Sequence, residues 1–221
     1  MAVETLILTE LDGVFPANQV RSREAQARLL KAGERVFAQK GYDEAHVSDI
    51  AAAADCSVGS FYRRFRDKEA LFRALHMQFK VRIGRNMARF LATPEWSDKP
   101  TYEVLHTLIG NSARVIERHQ GFFRALFQRT LAGAGSSYIL ALRSADDESG
   151  RLLAAFLRSR GEGLGESLDD TCILALRTVD AVLINRVLRR EITGDAVAPP
   201  LVVDMLTRML AAGIGVAAPS A

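Results

Sequence analysis

At 221 residues, 48% of them apolar, the chain has material for one large or two small folded domains, and its composition excludes a disordered or fibrous protein. A net charge of +3 with pI about 9.1 and mean hydropathy near zero leaves any nucleic-acid chemistry to a local cluster and not to the total. Cys56 and Cys172 lie far apart, and the four histidines show no C-x-x-C or H-x-x-x-H spacing, so a reduced cytoplasmic protein without disulfide, structural zinc or other cofactor is expected.

Residues 1–20 combine Leu6, Ile7 and Leu8 with Glu4, Glu10 and Asp12, and lack both a basic start and a long apolar run. This predicts a flexible or loosely held leader in place of a secretory signal. Ser22 is read as the cap of a helix over 23–40, whose Leu29, Leu30, Ala32, Val36 and Phe37 share one face and which Gly41 stops. Next comes the stretch 49–72, DIAAAADCSVGSFYRRFRDKEALF. A first short helix begins near His46 to Ser48 and ends at Ala54, its alanines letting a second helix cross closely. Asp55 sits where the chain turns, since Asp tolerates the left-handed conformation better than most residues. Ser57 is a good N-cap for a second helix over 58–65 that opens on Val58, Gly59 and Ser60, small enough for close approach to base edges.

From Gly59 to Arg73 the chain carries Arg63, Arg64, Arg66, Lys68 and Arg73 against Asp67 and Glu69, a local surplus of three positive charges. Such a surplus supplies sequence-independent affinity for phosphates. Tyr62 can reach a phosphate while Phe61 and Phe65 pack inward. A basic, solvated face on an ordinary helical bundle is the plain alternative. The order I-A, small residues, turn, S-x-G-x-aromatic-Y-x-x-F, D-K-E-x-L resembles the DNA-binding region of the TetR family of bacterial transcriptional regulators, over residues 23–75. The resemblance implies phosphate contacts at Tyr62 and Lys68, base-facing positions at Val58, Gly59 and Ser60, Arg63 and Arg64 at the DNA backbone, and His46, Ser48 and Ser57 beside them at the two helix starts. Three residues depart from the family pattern: Asp55 stands for a turn Gly, His46 for a capping Thr or Ser, and Val58 for a frequent Lys. Val58 suggests an apolar contact with a thymine methyl.

Asp67 is expected to cap a long helix to about Ala92, with Leu71, Phe72, Leu75, Phe79, Ile83, Met87 and Phe90 at three- and four-residue intervals. Thr93-Pro94 ends it, and a polar connector runs to Pro100. The remainder reads as helices over 101–118, 121–131, 138–160, 168–192 and 201–212, punctuated by Gly121, GAGSS and GEGLG. No repeat, transmembrane run or period-two alternation occurs. The expected fold is therefore all-α: leader 1–20, a three-helix helix-turn-helix domain 21–78, and a helical effector-binding and dimerisation domain 79–214 reached through one long helix, with a tail 215–221.

The helix over 168–192 is apolar on more than one face, so it must be covered on several sides. With 201–212 it could form a four-helix interface with a second copy, an arrangement the resemblance also implies, and a homodimer would present two readers to a palindromic double-stranded operator. Met87, Phe90, Leu108, Asn111, Phe123, Phe127, Leu176, Arg177 and Asp180 are candidates to line an effector pocket, apolar with a few polar anchors. Arg177 and Asp180, three apart, could also simply pair with each other. A repressor released by a small apolar effector is the expected function. A DNA-binding regulator without an effector is the alternative; an all-helical enzyme lacks any nucleophile, phosphate-cradling loop or metal spacing to support it.

Overall fold

The computed structural model describes residues 11–17, 19–130, 136–162, 167–193 and 197–218, with the backbone alone at 136–143 and 190–193. The described residues form nine α-helices: α1 Val20–Lys40, α2 Val47–Ala53, α3 Val58–Tyr62, α4 Lys68–Leu91, α5 Thr101–Arg118, α6 Gln120–Arg129, α7 Ser136–Ser159, α8 Leu168–Thr193 and α9 Pro199–Gly213. A 3-10 turn at Pro94–Trp96 follows α4. No strand is present among them, in keeping with the all-α expectation, and both cysteines are free. The glycine clusters at 133–137 and 161–165 lie mostly outside the described residues.

The chain divides into two units, one of Met1–Arg82 with Gly121–Leu142, the other of Ile83–Gln120 with Arg143–Ala221. In the first, α1 packs on α2 and α2 on α3. An aromatic chain fills its centre: Phe72 lies edge-on to Phe37 and Tyr42 at 5.0 and 5.1 Å between ring centres and reaches Phe122 at 5.6 Å, and Phe79 meets Phe122 and Phe123. Such pairs add to burial energetically and favour edge contacts over face-to-face stacking. α6 enters this core because Gly121 has no side chain. A Cβ there would lie 2.4 Å from the Ala38 Cα and 2.5 Å from its carbonyl oxygen, so α6 and the C-terminal part of α1 touch backbone to backbone.

In the second unit α5, α8 and α9 pack on one another, and α7 crosses α8 at Gly150, where a Cβ would come within 2.6 Å of the Ile173 Cα. Pro199 and Pro200 open α9 at its first positions, where a missing N–H costs nothing, so the helix starts earlier than the expected 201. Thr101 donates to Glu162, and Arg160 donates to the carbonyls of Trp96 and Lys99 at 2.7 and 2.6 Å, fastening the connector after α4.

Two local expectations give way. Ser22 does not cap α1, which begins at Val20 with no side-chain cap; its hydroxyl instead accepts from Arg64 at 2.7 Å. The described part of the leader is not loose: Val14 and Ala17 are buried, and Val14 pairs with Phe65 in an antiparallel bridge. That bridge also shortens the expected helix 58–65 to Val58–Tyr62. The Arg64 carbonyl accepts from the Phe15 N–H at 2.9 Å and the Arg66 N–H donates to Gly13 at 2.8 Å, so the chain leaves helical geometry to meet residues 13–15.

Candidate nucleic-acid interface

The turn between α2 and α3 is set by residues within it. Asp55 takes φ 52°, in the left-handed region that the sequence assigned to it. The Cys56 N–H donates to the Ala51 carbonyl at 3.0 Å, closing α2, and Ser57 then caps α3 by accepting the Ser60 N–H at 3.1 Å. α2 is braced at both ends: the His46 N–H donates to the Asp49 carboxylate at 3.0 Å, Lys40 sits 2.9 Å from the same carboxylate, and Arg35 donates to the Ala53 carbonyl. The Lys40 bond and the His46 N–H hold the Asp49 carboxyl below its ordinary pKa.

α3 is sorted by its period. Phe61 and the following Phe65 are fully buried, 5.7 Å apart, while Val58 is 41% and Tyr62 50% exposed. Gly59 is exposed as well, and no Cβ built on it would meet anything closer than 3.8 Å. His46 and Ser48, at the start of α2, are also open to solvent. One face of α3 thus locks into the unit and the other presents Val58, Gly59 and Tyr62.

The cations divide more sharply than their count suggested. Arg63 is exposed, and its guanidinium donates to the Ser60 hydroxyl at 2.9 Å. Arg64 is drawn back toward α1 by Ser22. Lys68, expected at a phosphate, gives its ammonium group to three carbonyls, those of Tyr42, Asp43 and Ala45, at 2.9, 3.0 and 3.1 Å. All three of its N–H donors are thereby used, and its charge lies 4.6 Å from the centre of the Tyr42 ring. Tyr42 carries a second cation, Arg129 of α6, at 4.5 Å. Its hydroxyl donates to Glu69 at 2.5 Å, and Arg129 donates to the same carboxylate oxygen at 3.0 Å. Burial and the adjoining Glu69 carboxylate raise the Tyr42 pKa. The loop that leads into α2 is therefore tied to the start of α4 and the end of α6, a role for Lys68 that local sequence does not show.

The proposed pocket residues are scattered. Phe123 belongs to the first unit's core, and Phe127 of the same unit is exposed. In the second unit Met87 and Leu108 are buried, Phe90 stands 5.1 Å from Trp96, Leu176 is half-buried, and the Asn111 side-chain Oδ1 accepts from Arg114. Arg177 does not pair with Asp180 as its spacing allowed; it binds Asp147 and lies 3.9 Å from Asp146, both on α7. Burial, reinforced by Asp146, pushes the Asp180 carboxyl up to about 7, and burial pushes Asp146 up to about 6. A hollow of this unit, about 50 Å³, lies elsewhere, among Ala113, Ile116, Leu183, Val187 and Pro199. Among the described residues no group of three or more His, Cys, Asp or Glu could hold a metal ion, and no helix is long and apolar enough to cross a membrane.

Residues 29–75 match the family described as bacterial regulatory proteins, tetR family. Along the chain, similarity extends to the uncharacterized HTH-type transcriptional regulator YerO of Bacillus subtilis (strain 168), 29% identical over 78% of this chain and 60% of that protein. The HTH-type transcriptional repressor DhaR of Mycobacterium sp. (strain GP1) is 31% identical over 48% of this chain and 45% of that one. The chain thus spans roughly half of these relatives' lengths. In fold it is similar to a tetR-family transcriptional regulator from Streptomyces coelicolor, with a TM-score of 0.68 at 18% identity over 86% of this chain and 80% of that one. It is also similar to the transcriptional regulator FadR from Bacillus subtilis, solved in complex with stearoyl-CoA, with a TM-score of 0.63 at 18% identity over 85% and 98% of the two chains.

Proposed function

Since the chain belongs to the tetR family of bacterial regulatory proteins, we propose that it is a sequence-specific DNA-binding regulator, acting as a repressor at a palindromic operator. The observation that carries this reading is the two-faced α3: Phe61 is buried without remainder while Val58, Gly59 and Tyr62 face outward from a Ser57-capped N-terminus. In that role Val58, Gly59 and Ser60 approach base edges, Tyr62 and Arg63 meet phosphates, and Arg64 and Lys68 hold the reader's shape.

A homodimer would place two such readers in successive major grooves, about 34–36 Å apart. Its support is the apolar surface left open on α8 and α9: Leu174 is 66% and Met209 58% exposed, with Val182, Leu201 and Met205 exposed beside them in the sequence pattern. Scattered exposed apolar residues are ordinary, but a run of them on two helices that pack together marks an interaction face.

Release by a small apolar effector is the regulatory step this reading carries, through differential affinity for the DNA-competent and incompetent states. A second reading is a regulator without a small-molecule effector; its support is that the hollow found among the described residues of the second unit holds about 50 Å³, against the roughly 300 Å³ or more of a usual ligand site. Selecting duplexes from a random pool with the full chain, then measuring retention with and without a panel of apolar compounds, tests both. Enrichment of an inverted repeat supports the dimeric operator reader; no enrichment of any sequence ends it. Enrichment that no compound reverses favours the second reading.

A further inference from the structure

Of the five cations that gave the reader its basic character, Arg64 and Lys68 are turned inward to Ser22 and to backbone carbonyls. Arg63, Arg66 and Arg73 remain, and two of these three meet a residue that lies outside the reader in the sequence. Arg66 donates through Nη1 to Asp12 Oδ1 at 3.0 Å and stands 2.9 Å from Oδ2 through Nη2. This is the forked, two-point geometry by which a guanidinium holds a phosphate. Arg73 donates to the Asp12 carbonyl at 3.0 Å and lies 3.9 Å from its carboxylate.

Asp12 is delivered there by the backbone. Gly13, next in the chain, adopts φ 79°, and a Cβ on it would lie 3.0 Å from the Ala70 Cβ, so the segment lies flat against the start of α4. Beyond it, Val14 and Phe15 pair with Phe65 and Arg64. The contact is firmly aimed yet weakly held, because the Asp12 side chain is 77% and that of Arg66 50% exposed, and ion pairs in water contribute little. Counting Asp12 with the cluster lowers its positive surplus from three to two.

We propose that Asp12 is an internal stand-in for a DNA phosphate, masking Arg66 and Arg73 beside the reader until a duplex displaces it. The mask lowers affinity for duplexes of any sequence while leaving base contacts at α3 untouched. The inference rests on the DNA-reading function proposed above.

The test uses the full chain and a duplex selected from a random pool by the wild-type protein, with retention measured over a range of KCl. Asp12→Asn keeps the side chain's shape and an acceptor but removes the charge. It is expected to bind both the selected duplex and an unrelated one roughly three- to tenfold more tightly at moderate salt, with log K against log salt steeper by about one for each freed arginine that finds a phosphate. Arg66→Ala should weaken binding more when made in the Asp12→Asn chain than in the wild-type chain. Unchanged or weaker binding by Asp12→Asn, with an unchanged salt slope and an unchanged melting curve, would overturn the mask while leaving the reader intact. Failure of the wild-type and variant chains alike to retain any duplex would bring down the DNA-reading assignment and the mask together.

Discussion

The unit that holds the reader and the unit that holds α8 and α9 differ in where some of their polar and apolar groups end up. In the first, Lys68, Arg64, Tyr42, Glu69 and Arg129 each have close partners, and the large apolar side chains Phe37, Phe61, Phe65 and Phe72 are fully buried. In the second, Leu174, Met205 and Met209 stand in water, and Asp146 and Asp180 keep carboxyls whose pKa values burial has raised. A surface proposed to match a rigid duplex would benefit from groups fixed before the encounter. A surface left apolar and a site left imperfectly neutralised are suited to being completed by something else.

The largest expected effect breaks the first half of that comparison. Gly121→Val drives a side chain into the Ala38 backbone and should cost about 3 kcal/mol, read by urea unfolding. A near-normal midpoint would mean that α6 is not part of the first unit's core. Next, Lys68→Met removes three charge-assisted hydrogen bonds and should cost about 2 kcal/mol, with loss of duplex retention following from loss of shape. Tyr62→Phe should weaken retention with stability held within about 0.5 kcal/mol, because its exposed hydroxyl supports no interior packing. Equal melting curves for the two variants would restore Lys68 to a purely phosphate-contacting role.

The two units should also answer pH with opposite sign. Burial, with Lys80 nearby, lowers His76 in the first unit to about 4, below its ordinary 6.5. Its neutral form is the folded one, so the contribution is full above pH 6.5 and is drawn off as pH falls toward 4, on the order of 2–3 kcal/mol. Asp146 and Asp180 in the second unit rise to about 6 and about 7 from 3.8, so the folded state there prefers the proton, and stability falls as pH rises from 4 through 7. Trp96, the single tryptophan, lies in the second unit. Its fluorescence during unfolding at pH 5 and 8 should follow the carboxylates, and Asp180→Asn should flatten that dependence. A Trp96 signal that strengthens with rising pH would contradict it. The smallest effect on stability is at the open face: Met209→Lys should change unfolding by no more than about 0.5 kcal/mol yet shift sedimentation toward a single chain. An unchanged sedimentation profile would remove α9 from the interface.

What was readable in advance depended on distance along the chain. Asp55 in a left-handed turn, Ser57 as a cap, Asp67 accepting the Ala70 N–H, and the inward Phe61 and Phe65 were all legible, because each is settled within about one helical turn of its own position. The carbonyl contacts of Lys68 were not, since its partners lie 23 to 26 residues earlier, in the loop after α1, and meet it only in the folded chain. Ser22 illustrates the same limit: its composition suited a cap, but an arginine 42 residues away claimed its hydroxyl.

By itself the sequence determined the helical class, the Asp55 turn with its Ser57 cap, and the two faces of the reader, since local hydrogen bonding and a 3.6-residue period need no distant partner. The tertiary structure alone decided which cations of the cluster keep internal partners, that residues 11–17 bridge back to the reader, and that α6 belongs to the reader's own core. Those outcomes turn on contacts such as Arg66 with Asp12, 54 residues apart, and Gly121 with Ala38, where the approach of two backbones chose the partners.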